Sequence, residues 1–213
     1  MSETRRLEAF SDGVLAIAIT LLVLDLTVPT RAQLAVGGRT LGQALAAQWP
    51  SYAAYVVSFL TIGVIWINHH AMLRRLVSVD HTLLMLNLLL LMFIGVLPFT
   101  TSLMAAYLRS NQGQHHAAAA QHLAAGVYAG SFAAMALAFY AMQHHALSRR
   151  VHLLQPGLDR AARRVIDRRN RAGVPPYFVA IASAPLSSYL TLGICGAIAV
   201  FYALPNTTSD GAA

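Results

Sequence analysis

The stretch Arg6-Leu-Glu-Ala-Phe10-Ser11-Asp12-Gly-Val-Leu-Ala-Ile17-Ala-Ile-Thr20-Leu21-Leu-Val-Leu24-Asp25 decides how this chain folds. A short polar cluster runs directly into an apolar segment with helical spacing. At 100° per residue, Phe10, Gly13, Ile17, Thr20, Leu21, Leu24 and Val28 fall within roughly 60° of one line, whereas Asp12 points about 140° away. The helix therefore has two different faces. Its stripe carries no charge and suits the lining of something narrow. Ser11 and Asp12 need partners within the same subunit, because an unpaired polar group near hydrocarbon is costly.

Composition supports a membrane setting for that helix. Of 213 residues, 57% are hydrophobic and 11% charged, against roughly 25% charged in soluble domains. The expectation is an integral membrane protein. A net charge of +7 would suggest nucleic acid in a soluble chain, but no nucleic-acid partner is expected here, because the basic residues sort by membrane side. All fifteen of them are arginine, a usage associated with bacteria of GC-rich genome, so a bacterial cell membrane is the expected location. The single cysteine, Cys195, sits in an apolar run and has no intrachain partner. Arg5 and Arg6 ahead of an apolar run also fit a signal peptide, but Glu8 and Asp12 interrupt its basic region, so the segment is read as a retained span.

Apolar helices need about 20 residues to cross a bilayer. On that criterion one transmembrane domain, residues 1–213, holds six spans at about 8–28, 50–72, 82–103, 119–142, 175–184 and 186–204. The fold class is all-α. Residues 30–48 read as a loop with a short helix near Leu41 to Gln48, and Trp49-Pro50 marks an interface and a helix start. Gly126, Gly130, Ala134 and Ala138 repeat every fourth residue in the fourth span, a pattern that lets helices approach closely. Pro185 divides the last apolar run into two short spans, with one long kinked helix as the alternative reading. The basic linker 147–172 places Leu158, Ala161, Ala162, Val165 and Ile166 in helical alternation with Arg160, Arg163, Arg164, Arg168 and Arg169, which predicts an amphipathic helix against membrane lipid. Twelve of the fifteen arginines fall on the side of the N-terminus and of the linkers after spans 2 and 4; Arg31, Arg39 and Arg109 fall opposite. Both termini are then cytoplasmic, and the linker is first a topology signal and only secondarily a lipid-binding element.

Two other function classes find less support in the residues. The pairs His69-His70, His115-His116 and His144-His145 admit a His-ligated, metal-dependent membrane enzyme, but they divide between the two sides and form no helical ligand box, so no metal is expected. A coupled transporter would need broken helices and polar groups at mid-membrane, and the spans hold neither a central carboxylate nor an arginine ladder.

Arg6-x-x-x-Phe10-Ser11-Asp12 followed by Gly-Val-x-Ala-Ile-Ala-x-Thr-Leu-Leu-Val-Leu closely resembles the signature of the transmembrane protein 175 family, the lysosomal potassium channels and their bacterial relatives. The resemblance continues through Trp49-Pro50, Tyr55, Ser58-Phe59, Ile62-Gly63, Trp66 and His69-His70, then through Asn87 and Leu97-Pro98-Phe99-Thr100, and fades in the last third. It implies a passive potassium-selective channel that is no enzyme and has no cofactor beyond the permeant ion. It further implies a homotetramer in which four copies of the first helix line the pore, with Ile17, Leu21 and Leu24 as a hydrophobic constriction and gate.

Thr20 is then either an auxiliary oxygen ligand or a hydroxyl bonded back to Ala16. Arg6, Phe10, Ser11 and Asp12 are expected to act as a structural lock, with Trp66, His70 and Asn87 as available partners and His70 the favoured histidine. Asp25, about 80° from the pore line, is either a cation-concentrating charge at the pore mouth or a solvated helix-end carboxylate.

Overall fold

A computed structural model describes residues 3–38, 40–109, 115–157 and 159–204 of the chain. Arg39, residues 110–114 between the expected third and fourth spans, and Leu158 lie outside the described residues, as do the side chains of His115 and His116.

Helix α1, Glu3–Leu21, continues into a 3₁₀ turn, Leu22–Asp25. It starts earlier than the apolar boundary because Glu3 to Arg6 are good helix formers that need no hydrocarbon. It stops earlier than expected because Thr27 and Val28 precede Pro29, and a residue before proline is driven out of the α region. Two short helices follow, α2 at Arg31–Gly37 and α3 at Leu41–Ala46. A capping box closes the start of α3: Thr40 Oγ1 accepts from Gln43 N, and Gln43 Oε1 accepts from Thr40 N.

Helices α4 (Trp49–Leu73), α5 (His81–Arg109) and α6 (His115–His144) are long and apolar. With Glu3–Asp25 they make four segments able to cross a membrane by length and composition. Helix α7, Arg160–Ala172, is the amphipathic basic helix, capped where Asp159 accepts from Ala162 N at 2.6 Å. The final apolar run is broken at Ala184 to Ser187 into α8, Pro175–Ser183, and α9, Ser188–Ala203. Ser187 caps α9 by accepting from Leu190 N.

The core is formed where α5 packs along α6, flanked by α1 and α4 on one side and by α8 and α9 on the other. Tyr128, Phe132, Leu90, Ile94 and Leu97 are fully buried there. Gly126 of α6 lies against the end of α8, where a Cβ would fall 3.8 Å from Ala184 Cβ, whereas a Cβ at Gly130 would meet nothing within 4 Å. Ala134 and Ala138 face Leu86, Leu89 and Phe93 of α5 across a groove. Hydroxyls bridge the helices within the apolar core. Ser58 joins Thr101 at 2.8 Å and Tyr128 at 3.0 Å, and Thr100 joins Ser131 at 3.1 Å. Such bonds are worth most where water offers no alternative partner.

Cross-links distinguish the two ends of the bundle. At one end, the connector after α4 pairs with the connector after α6: Val77 N donates to Leu153 O and Gln155 N to Arg75 O, both at 2.8 Å, around the isolated bridge Leu76 to Leu154. Beside this seam Asp80 accepts from His145 Nε2 and from Leu83 N, each at 2.8 Å, with Arg150 Nε 3.7 Å away. His144 pairs with Asp167 of α7 at 2.9 Å. At the other end Trp49 stacks on Tyr189 at 5.6 Å, and Tyr189 Oη donates to Leu108 O at 3.3 Å. Helix α9 thus starts beside the start of α4 and returns to the arginine-rich end, where the Tyr202 hydroxyl lies close to Gly173.

Burial alone would raise the Asp80 carboxyl, but the hydrogen bonds from His145 and Leu83 and the nearby charges of His145 and Arg150 outweigh it and hold the group below the ordinary carboxylate range. A depressed carboxyl contributes stability that is present above its unfolded pKa and lost as pH falls through the folded value. Asp80→Asn should therefore destabilise the protein at neutral pH by about 1–3 kcal/mol, the scale of a charge-assisted hydrogen bond. The difference from wild type in thermal denaturation should shrink below about pH 4. An equal difference at pH 7 and pH 3 would show that the carboxylate charge is not the stabilising feature.

Candidate pore helix and its anchoring network

Helix α1 buries one face and leaves the other bare. Leu7, Ser11, Leu15, Ala18 and Leu22, spaced by three and four residues, are buried against α4 and α5. On the opposite side Phe10 is 53% exposed, Ile17 62%, Leu21 42% and Leu24 73%. These are the residues of the charge-free stripe. The 3₁₀ turn alters its upper end, since side chains three apart eclipse in that geometry. Leu24 is stacked over Leu21 instead of stepping around the helix.

What fixes the rotation of α1 is a polar chain through Asn87, which is wholly buried on α5. His69 Nε2 donates to Asn87 Oδ1 at 2.8 Å, Asn87 Nδ2 donates to Ser11 Oγ at 3.0 Å, and Ser11 Oγ donates to Leu7 O at 2.9 Å. Each donor is spent on the next acceptor, so three helices are joined with one orphan, the buried His69 Nδ1. Next to this chain Trp66 Nε1 donates to Asp12 Oδ1 at 3.0 Å.

The histidine in the network is His69 and not the expected His70. One residue is 100° of helix rotation, which turns His69 inward toward α5 and His70 outward toward α1. His70 Nδ1 instead pairs with Glu8 Oε1 at 2.7 Å, and its ring stacks against Trp66 at 6.2 Å. Glu8 is the residue that sequence reasoning missed; its position one helical turn before Asp12 was the available signal. Arg6 is exposed and has no ion-pair partner among the described residues.

Two oxygen-bearing side chains flank the stripe. Thr20 Oγ1 donates back to Ala16 O at 3.0 Å and Ile17 O at 2.9 Å while its side chain stays exposed. Its proton is spent on the helix, and its lone pairs are not. Asp25, the last residue of the 3₁₀ turn, is half-buried, and its Oδ2 has no hydrogen-bond partner among the described residues. Among the described residues no three His, Cys, Asp or Glu side chains converge as a metal site.

The family model of the endosomal/lysosomal potassium channel TMEM175 matches residues 6–98, which contain every residue of the Asn87 chain and the Glu8 and Asp12 pairs. A potassium channel of Streptomyces collinus is 45% identical over 216 residues, covering 100% of this chain and 99% of its own length. The chain also superposes on the crystal structure of a lysosomal potassium-selective channel TMEM175 homologue from Chamaesiphon minutus, with a TM-score of 0.80, 39% identity, and coverage of 95% and 97%. The human endosomal/lysosomal proton channel TMEM175 is 38% identical over 109 residues, 49% of this chain and 21% of its own length.

Truncating Asn87 to alanine should strand His69 Nε2 in an apolar interior, at about 1–3 kcal/mol for the orphaned group, and remove the N–H that Ser11 Oγ accepts while leaving its bond to Leu7 O. Asp12→Ala should cost less, because the Trp66 indole it releases is already half exposed. Thermal inactivation of the purified variants, followed by light-scattering chromatography, would check that order. Equal losses for the two would mean that α1 is not held chiefly through Asn87.

Proposed function

The chain belongs to the family of the endosomal/lysosomal potassium channel TMEM175, an integral membrane family of ion channels and not enzymes, and from that premise we propose that it is a passive, potassium-selective cation channel of the bacterial cell membrane. The working unit is a homotetramer with six membrane-embedded segments per subunit: α1, α4, α5, α6, α8 and α9. Four copies of α1 surround the axis, and the arginine-rich end with both termini is cytoplasmic. The names of the full-length relatives support the ion, and the arginine distribution supports the orientation.

The observation that carries the pore assignment is the bare face of α1. A membrane helix pinned in rotation by buried polar bonds, yet presenting Ile17, Leu21 and Leu24 uncovered, has its direction fixed before anything covers it. Lipid would cover such a face anywhere. In a channel family whose signature lies on this same helix, identical copies across an axis are the better account.

Rings of Ile17, Leu21 and Leu24 give an ion nothing in place of its shed water. Potassium holds its water less tightly than sodium and passes at lower cost, so selectivity is real but modest beside that of carbonyl filters. Slight narrowing dewets such a neck and closes it. Thr20, whose lone pairs remain available, acts as an auxiliary ligand. Asp25, whose Oδ2 has no hydrogen-bond partner among the described residues, concentrates cations at the outer mouth.

Potassium flux from liposomes holding the pure protein is the primary test, and flux no greater than from empty liposomes would reject the channel. Asparagine at Ile17, Leu21 or Leu24 should wet the neck, raise open probability and shift the reversal potential toward non-selectivity; unchanged values in all three would remove α1 from the pore. Asp25→Asn should lower conductance mainly at low salt, where screening is weak, and a salt-independent conductance would remove its electrostatic role.

A further inference from the structure

At the arginine-rich end, away from α1, a groove of about 1190 Å³ opens between α7 and α9. One wall is apolar, formed by Ile194, Ile198 and Phe201 of α9, and Phe201 is 68% exposed. The other wall carries Arg75 from the connector after α4 and Arg169 from α7, with Gln143 and Tyr202 beside them. Among the described residues no carboxylate lines the groove. Gln143 Oε1 is taken by Asn170 Nδ2 at 2.5 Å, which leaves the Gln143 amide as a donor. Arg75 is half-buried and has no ion-pair partner among the described residues. Desolvation depresses its pKa, the mark of a cation held out of water without a compensating anion. Its backbone is held in the connector seam, where Arg75 O accepts from Gln155 N at 2.8 Å.

A desolvated guanidinium facing an apolar wall at the level of the headgroups matches an amphiphile with an anionic head. We propose that this groove is a binding site for one anionic phospholipid of the arginine-side leaflet, its phosphate on Arg75 and Arg169 and its acyl chains along Ile194, Ile198 and Phe201. The proposal rests on the channel reading for its setting: in a membrane channel the arginine-rich end meets the headgroups, and among the described residues none from α1, which carries the uncharged stripe, lines the groove. A soluble phosphate would use the guanidinium groups but leave the apolar wall wet. A second copy of the chain would use the wall but bring no required anion.

Native mass spectrometry of the purified full-length protein in detergent, titrated with phosphatidylglycerol or with phosphatidylcholine of the same chains, tests the site independently of ion flux. Phosphatidylglycerol should be retained preferentially, and millimolar inorganic phosphate should not displace it. Arg75→Gln should weaken that retention roughly tenfold, the scale of one charge-assisted hydrogen bond, and bring the two lipids close together. Ala197→Trp, which fills the groove without touching an arginine, should abolish the preference while leaving the oligomeric state unchanged. Equal retention of the two lipids by wild type, displacement by phosphate, an unchanged preference in Ala197→Trp, or a change of oligomeric state in that variant would each overturn the proposal. Where Arg75→Gln fails to fold, Ala197→Trp decides alone.

Discussion

The structure depends on satisfying one buried amide. Asn87 lies where neither water nor exposed backbone can serve it, so its oxygen and nitrogen must be met by side chains from neighbouring helices. His69 and Ser11 do so from α4 and α1, and the three helices are thereby set in depth and rotation at once. Apolar packing alone does not achieve this, because lipid tails cover a leucine as well as another helix does. The bare stripe of α1 points where it does because Ser11, on the opposite face, is held by Asn87.

The two ends of the bundle are held by different chemistry. At the arginine-rich end the connectors are tied by backbone hydrogen bonds and by histidine–carboxylate pairs, Glu8 with His70, Asp80 with His145 and Asp167 with His144. At the opposite end the contacts are aromatic stacking and single hydroxyl bonds, such as Trp49 on Tyr189. Charge is thus concentrated where headgroups and water screen it, and aromatic rings lie where amphipathic groups are favoured.

Much of this architecture was legible in the sequence, and the reasons are local. Length and hydropathy located α4, α5 and α6, and Pro185 located the break between α8 and α9, because these depend on residues adjacent in the chain. The two faces of α1 followed from the 100° step alone. The illegible parts were long-range or fine-grained. The choice between His69 and His70 turns on a single step of helix phase relative to α5, which periodicity within α4 cannot supply. Asp80 and His145 are 65 residues apart, and nothing in the spacing of either joins them. The 3₁₀ ending of α1 arises from Pro29 acting backward through Thr27 and Val28, and it moves Leu24 over Leu21 and displaces Asp25 from the position an ideal helix would give it.

The seam between the connectors carries a consequence for biogenesis. Every atom of the Ser11–Asn87–His69 chain has been synthesised by the time α5 is complete, whereas the bridge of Leu76 to Leu154 waits for the connector beyond α6. Three helices can therefore leave the translocon already oriented about their shared amide while the ribosome is still producing the remainder. The later backbone seam then closes over a core whose geometry has been decided. In such an order of events, a defect in the first third of the chain is inherited by everything that follows, while a defect in the last third arrives after α1 has found its place.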